Sequence, residues 1–224
     1  MVIGLLTITA IPTTIGVCEA LSAQKKANNA QKEKAKFHIT VSIPVGGGRS
    51  VECFCVLGAG VLWIDHPEAP VPGHKFSGYY FTYPSDEQHL GLVSTIAEDP
   101  PMLNWIYVDK DSHLLRHGGR SATLGHVIGP WGWSDDERHV TLQGRDDHFV
   151  AVELKEYGRW ALFHDPDGRV RRGEMSLGGG DDDGSTAEGG CPYRWHPVKL
   201  YRKMVFGMES RYVKGEKGEG ENSK

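Results

Sequence analysis

Eleven histidines are the residues of this chain best suited to acid–base or metal chemistry. Their spacing favours neither. His66 and His74 lie in a stretch carrying Pro67, Pro70 and Pro72, and His113, His117, His126, His139 and His148 are spread through short strand-and-turn segments. His113 and His117 would share a face on a helix, but Leu114-Leu115-Arg116 followed by Gly118-Gly119 reads as a strand ending in a turn. No HExxH is present. The four cysteines are Cys18, Cys53, Cys55 and Cys191. A CxC pair with distant partners is a poor match to a zinc site, which takes about four ligands at CxxC-like or His-containing spacing. Cys53 and Cys55, two apart in an apolar run, share one face of a strand and read as reduced, buried thiols. Asp165-x-Asp167-Gly168 matches only the opening of a calcium-binding EF-hand loop, and Asp181-Asp182-Asp183 sits in a glycine-rich run. No metal and no cofactor is expected.

Nucleophile chemistry has no better footing. There is no GxSxG, and Ser94, Ser121 and Ser134 stand in no nucleophile-elbow context. Gly46-Gly47-Gly48-Arg49-Ser50 lacks the GxxxxGK[ST] order and leads into a strand rather than a helix, so it is not a phosphate loop. The carboxylates Asp135-Asp136-Glu137 and Asp146-Asp147 fall in turns and read as solvated charge. If the chain were an enzyme of unrecognised type, His126 or His139 in a pocket would be its candidate base. The aromatic residues are more suggestive. Trp131-Gly132-Trp133 follows Gly129-Pro130, and Trp105 and Tyr107 follow Pro100-Pro101-Met102-Leu103-Asn104. Exposed Trp and Tyr stack on carbohydrate or peptide; buried, they fill a small β core. Trp105, Tyr107, Trp131 and Trp133 are therefore the candidate binding residues, with both roles open. A small-molecule ligand is not identified by these residues.

The elements that would position them are mostly strands. Phe37-His38-Ile39-Thr40-Val41-Ser42-Ile43 alternates apolar and polar residues, as a half-buried strand does. Val51–Leu57 and Val61–Ile64 flank Gly58-Ala59-Gly60, a hairpin signal. Three units share a form, an aromatic strand stopping at an Asp-bearing turn: Val61–Pro67, Trp105–Asp111 and Trp160–Gly168. Three such units are too few for a propeller. Plain hairpins account for them, and Asp167-Gly168 is the strongest turn signal. The expected fold is mainly β, a small antiparallel barrel or sandwich of short hairpins with an N-terminal helical segment. The β-rich domain is placed at 37–206, with a flexible acidic Gly/Asp loop at 178–190 and a disordered tail at 207–224.

The N-terminal 36 residues divide in two. Residues 1–21 carry one acid, Glu19, and no basic residue, and residues 22–36 read as a basic polar helix. The apolar part presents Ile3, Leu5, Leu6, Ile8, Ile11 and Ile15 to a membrane or partner, with Lys25 and Lys26 placed to touch anionic lipid. Three readings compete: a packed helix or helix pair broken near Pro12, a membrane anchor with the body on the cytoplasmic side, and a cleaved signal. Cleavage would leave three cysteines, an awkward count for a secreted disulfide scaffold. No Asn-x-Ser/Thr acceptor is present. Apolar residues at 39% and charged residues at 24% support a packed core in 224 residues. A net charge of −4 argues against generic nucleic-acid binding.

Val2–Val17, Gly91-Leu92-Val93-Ser94-Thr95-Ile96, Pro100–Asp111 and Gly129-Pro130-Trp131-Gly132-Trp133 resemble a family of uncharacterised filamentous-ascomycete proteins. The resemblance covers most of the chain to about Asp167. It implies a fungal source and no particular chemistry. The leading expectation is a non-enzymatic binding or scaffolding module, intracellular in the cytoplasm or on the cytoplasmic face of a membrane. It would bind a protein partner or itself. The alternative is a secreted carbohydrate- or host-surface-binding protein.

Overall fold

The computed structural model describes residues 11–45, 48–98, 101–174 and 193–205. Ile3, Leu5, Leu6 and Ile8, the acidic stretch at 178–190 with Asp181–Asp183, and the tail at 207–224 lie outside the described residues. Ile11–Lys34 form one helix, α1. Pro12 lies within this helix. Ile15 is part of the same helix, which runs without a break through the compositional junction between residues 21 and 22. Leu21–Asn28, Lys25 and Lys26 among them, is exposed. Among the described residues no helix is long and apolar enough to cross a membrane. Lys32 and Lys34 meet the negative end of the helix dipole, and Lys32 also pairs with Glu137 on the body.

The strands fall into three units of four. The first is β1 (Phe37–Val45), β2 (Arg49–Gly58) and β3 (Val61–Ile64), then, beyond the short β4 (His74–Lys75), β5 (Gly78–Thr82). The second is β6 (Leu90–Glu98), β7 (Pro101–Val108), β8 (Leu115–Gly118) and β9 (Trp131–Trp133). The third is β10 (Val140–Leu142), β11 (Phe149–Leu154) and β12 (Arg159–His164), then, beyond the short β13 (Trp195–Pro197), β14 (Tyr201–Met204). The outer strands of the units form a ring. β1 pairs β5, β5 pairs β6, β6 lies beside β9, and β9 pairs β10. His139 bridges Tyr201, and β14 returns to β1 with Phe37 opposite Met204. The inner strands form three hairpins, β2–β3, β7–β8 and β11–β12. These meet one another through Val61 opposite Arg116, Ala161 opposite Trp63, and Leu114 opposite Phe163. The architecture is a six-stranded barrel with a triangular cap of hairpins.

The three aromatic strand-and-turn units are an echo of this threefold repetition. The first and third are the second strands of their hairpins, β3 and β12; the second, Trp105–Asp111, is the first strand of its hairpin, β7. In each, the turn Asp folds its carboxylate back onto backbone N–H groups. Asp65 accepts from Val71 at 3.2 Å, Asp109 from Ser112 at 2.9 Å, and Asp165 from Val170 at 3.0 Å. Asp167-Gly168 does not make a hairpin. Buried Asp165 also takes Arg171 Nε at 3.0 Å and ties 165–171 into a compact turn.

The core has two parts. Phe37, Ile39, Val41 and Ile43, alternate residues of β1, are fully buried and point into the barrel with Tyr80, Leu92, Ile106, Trp131, Phe149 and Leu162. Val56, Val61, Trp63, Leu114, Val152 and Phe163 form a second cluster under the cap. In the barrel cluster the Arg202 guanidinium lies 4.9 Å from the Phe37 ring, 5.3 Å from Tyr80 and 5.4 Å from Trp133. Gly78 is where β1, β5 and β6 come together, opposite both Phe37 and Ser94. A Cβ there would stand 1.9 Å from the Val93 carbonyl oxygen and 2.7 Å from the Phe76 ring. Gly78→Ala is expected to cost more than about 2 kcal/mol in urea unfolding, because backbone must move to admit the methyl. Gly119→Ala, whose Cβ meets nothing within 4 Å, serves as the neutral control. Equal midpoints for the two variants would refute the packing argument.

Candidate functional site

The three hairpins do not close the cap completely. A cavity of about 340 Å³ remains between them, and each hairpin lines part of it. The β2–β3 hairpin contributes Ala59, Val61 and Trp63. Its tip is tight, with Ala59 at φ 48° and Gly60 at φ 78°. The Trp63 indole donates to the Gly58 carbonyl at 2.9 Å, which fixes the ring plane. The β7–β8 hairpin contributes Ser112, Leu114 and Arg116, and the β11–β12 hairpin Leu154, Tyr157 and Phe163. Tyr157 is 54% exposed and meets Trp63 edge-on, 5.7 Å between centroids. The cavity therefore has apolar walls that include three aromatic side chains, Trp63, Tyr157 and Phe163, together with a cation.

That cation is loosely held. Arg116 Nε lies 3.8 Å from Asp109 Oδ2, beyond hydrogen-bond reach, and has no hydrogen-bond partner among the described residues. The other oxygen of that carboxylate, Oδ1, accepts from the N–H groups of Asp111 at 3.1 Å and Ser112 at 2.9 Å. Burial alone would raise the Asp109 carboxyl, but those donors outweigh it and hold the group below its ordinary value.

The four aromatic candidates do not form one surface. Trp131 is buried and stacks at 9° on Phe149, 6.3 Å away, so it is a core residue. Trp133 is half-buried under Arg202 and beside Tyr80. Trp105 packs against Tyr83 at 4.9 Å, and Tyr107 is buried and stacks on His126 at 5.2 Å. Neither His126 nor His139 lines the cavity. His126 Nδ1 accepts the Lys110 N–H at 3.2 Å, and His139 Nδ1 stands 3.6 Å from both Asp136 and Asp146 near the end of β14. Sequence reasoning missed Trp63, Arg116 and Tyr157. The available signal was their placement in three aromatic or Asp-bearing hairpins, but only the register of the cap brings them together.

A second concavity of about 400 Å³ runs over β1, β2 and β14 and includes Thr40, Glu52, Arg138 and Lys203. There Lys203 Nζ bonds both Glu52 oxygens, at 3.2 and 3.3 Å, so those two charges satisfy each other. No group of three or more His, Cys, Asp or Glu that could hold a metal occurs among the described residues. Cys53 and Cys55 are free and buried, and burial pushes both thiols up, well out of the reactive range.

A six-stranded barrel capped by three hairpins, built from three four-stranded units, is a β-trefoil. The profile of the Fungal beta-trefoil domain matches residues 16–188, and the chain belongs to that family. Comparison with curated proteins returned no match, and comparison with solved structures returned none.

Beside the cap, burial pushes His164 down to about 4 from 6.5, with His148 and His113 adding to the effect. The folded chain then binds fewer protons than the unfolded chain between pH 4 and 6.5. Stability is expected to fall as pH drops through that window, by at most on the order of 3 kcal/mol from this group. His164→Phe keeps a ring 5.6 Å from Phe149 and removes the titration. Denaturant unfolding across the window should show a shallower pH slope for the variant; an unchanged slope would clear His164 of the role.

Proposed function

We propose that this protein is a non-enzymatic binding module that takes its ligand in the cavity between the hairpin tips. The observation that carries the reading is convergence. All three units send side chains to one concave site, and those side chains combine apolar walls, three aromatic side chains and a cation. The barrel beneath supplies a rigid frame, so the tips hold their places without a ligand. Membership of a fungal β-trefoil family supports a binding role, since the fold presents loops on a closed scaffold. An intracellular address is part of the proposal, supported by the free thiols of Cys53 and Cys55.

A second reading gives α1 a role of its own. Lys25 and Lys26 are exposed on a helix whose middle stands clear of the barrel, which supports contact with a protein partner, a second copy or an anionic membrane surface. Co-sedimentation with anionic vesicles that disappears in Lys25→Glu/Lys26→Glu is the result that would favour it.

The leading reading is tested by screening the ¹⁵N-labelled full chain against glycans and a fragment library. Hits are expected to shift the amides of Ala59, Ser112 and Tyr157. Tyr157→Ala is expected to weaken them about tenfold while leaving the thermal midpoint within a few degrees. Hits that map to β1 and β14 instead, at unchanged affinity in the variant, would move the site to the outer concavity.

A further inference from the structure

We infer that the cap cavity takes one planar apolar ligand bearing a carboxylate or comparable anionic group, with Arg116 as its anion partner. This rests on the cavity being the ligand site, and it adds the ligand's class and its stoichiometry.

Stoichiometry follows from asymmetry. The fold repeats three times, but the residues at the cavity do not. One hairpin offers Trp63, the next Arg116, the third Tyr157. A ligand that uses the rings and the cation together has one orientation and one site per chain, rather than one site on each unit.

The class follows from the walls. Val61, Leu114 and Phe163 are buried hydrocarbon that a ring can cover. The Trp63 indole is fixed by its bond to Gly58, and the exposed Tyr157 ring meets it edge-on, so the two rings form one continuous aromatic side of the space. A volume of about 340 Å³ is near the lower end of small-molecule sites; such sites run from about 300 to 1,000 Å³. It suits one or two fused rings and is short for an oligosaccharide or an acyl chain. Among the described residues, Arg116 is the charged residue that lines the cavity. Asp109 Oδ2 lies beyond hydrogen-bond reach at 3.8 Å, and the other oxygen, Oδ1, is engaged by its own turn. The Arg116 side chain is 43% exposed, and a guanidinium is matched by a planar carboxylate, which takes two parallel N–H bonds.

The test uses naphthalene-2-carboxylate and its methyl ester on the full chain, with calorimetry for affinity and stoichiometry and amide shifts for location. The carboxylate is expected to bind one to one, to shift Ser112, Arg116 and Tyr157, and to outbind the ester by at least about tenfold. Arg116→Gln should abolish that preference and leave the ester's affinity unchanged. Arg116→Lys, which keeps the charge and loses the fork, should fall between and stands in if the Gln variant loses its native spectrum. Equal binding of acid and ester, both mapping to the cavity, would overturn the anionic class and leave the cavity as a binding site. No shift at the cavity with either probe, while library hits map there, would overturn the ligand class in full. If library hits also map elsewhere, the cavity reading falls with it.

Discussion

The structure depends on the ladder between β1 and β14, where the two ends of the described body meet. A sheet with free edges exposes unpaired N–H and C=O groups; a closed barrel has none to expose. Closure here requires that residues about 165 positions apart pair in register, Phe37 with Met204 and Thr40 with Tyr201. That pairing places Arg202 next to Ile39 and lets its guanidinium cover Phe37, Tyr80 and Trp133 at once. Arg202 also donates to the Glu137 carbonyl at 3.1 Å, and Glu137 takes Lys32 of α1. The helix, the β9–β10 turn and the last strand are thus joined at one corner of the barrel. A charge in contact with the core is held there by aromatic faces on one side and a backbone carbonyl on the other.

The opposite constraint operates at the cap. Three hairpins meeting at one point cannot all bring large side chains to the centre, because the space between the tips is fixed by the pairings of β3 with β8 and β12. Unlike residues at the three tips fit where three like ones would clash or leave a symmetric hole. Trp63 fills one side and bonds its own turn. The Arg116 side chain is 43% exposed, and Tyr157 stays largely in solvent. What remains unfilled is the cavity. The site is thus a consequence of broken symmetry on a symmetric frame, and its residues can differ without disturbing the barrel cluster beneath.

Much of the fold was legible in the sequence because strand periodicity is local. The alternation of Phe37–Ile43 predicts a strand with one buried face, and that strand forms. The short strands and turns predict a mainly β barrel or sandwich, and the chain closes a barrel. Gly58-Ala59-Gly60 marks a hairpin that is present. The threefold order was harder to read. Its units differ in spacing, and Trp105–Asp111 sits one strand out of step with the other two, so plain hairpins were a sufficient account. Asp167-Gly168 carried a hairpin signal, but the Asp165 carboxylate, two residues earlier, recruits Arg171 and closes a different turn. The site was the least legible part. Trp131 and Trp133 stand out in sequence through their shared glycine, yet the barrel uses one in its core and the other beneath Arg202. Trp63, Arg116 and Tyr157 are ordinary in sequence, and their value comes from a non-local register that no single segment encodes.

The proposed recognition and a catalytic role would ask different things of the site. Catalysis needs groups held to transition-state geometry on rigid elements with tuned proton affinities. In this chain the most displaced histidine, His164, owes its value to burial and sits outside the cavity lining. The cavity instead assembles groups whose value lies in their faces and charge. An indole locked by its own backbone, a tyrosine in solvent and a guanidinium beyond hydrogen-bond reach of its carboxylate neighbour are each held by a different hairpin. Because the hairpins are tied to one another only through short pairings above a fully packed barrel, the cap can present such a set without strain in the core. A packed barrel and an asymmetric cap thus meet along the boundary between the two hydrophobic clusters, and the proposed recognition would draw on the cap alone.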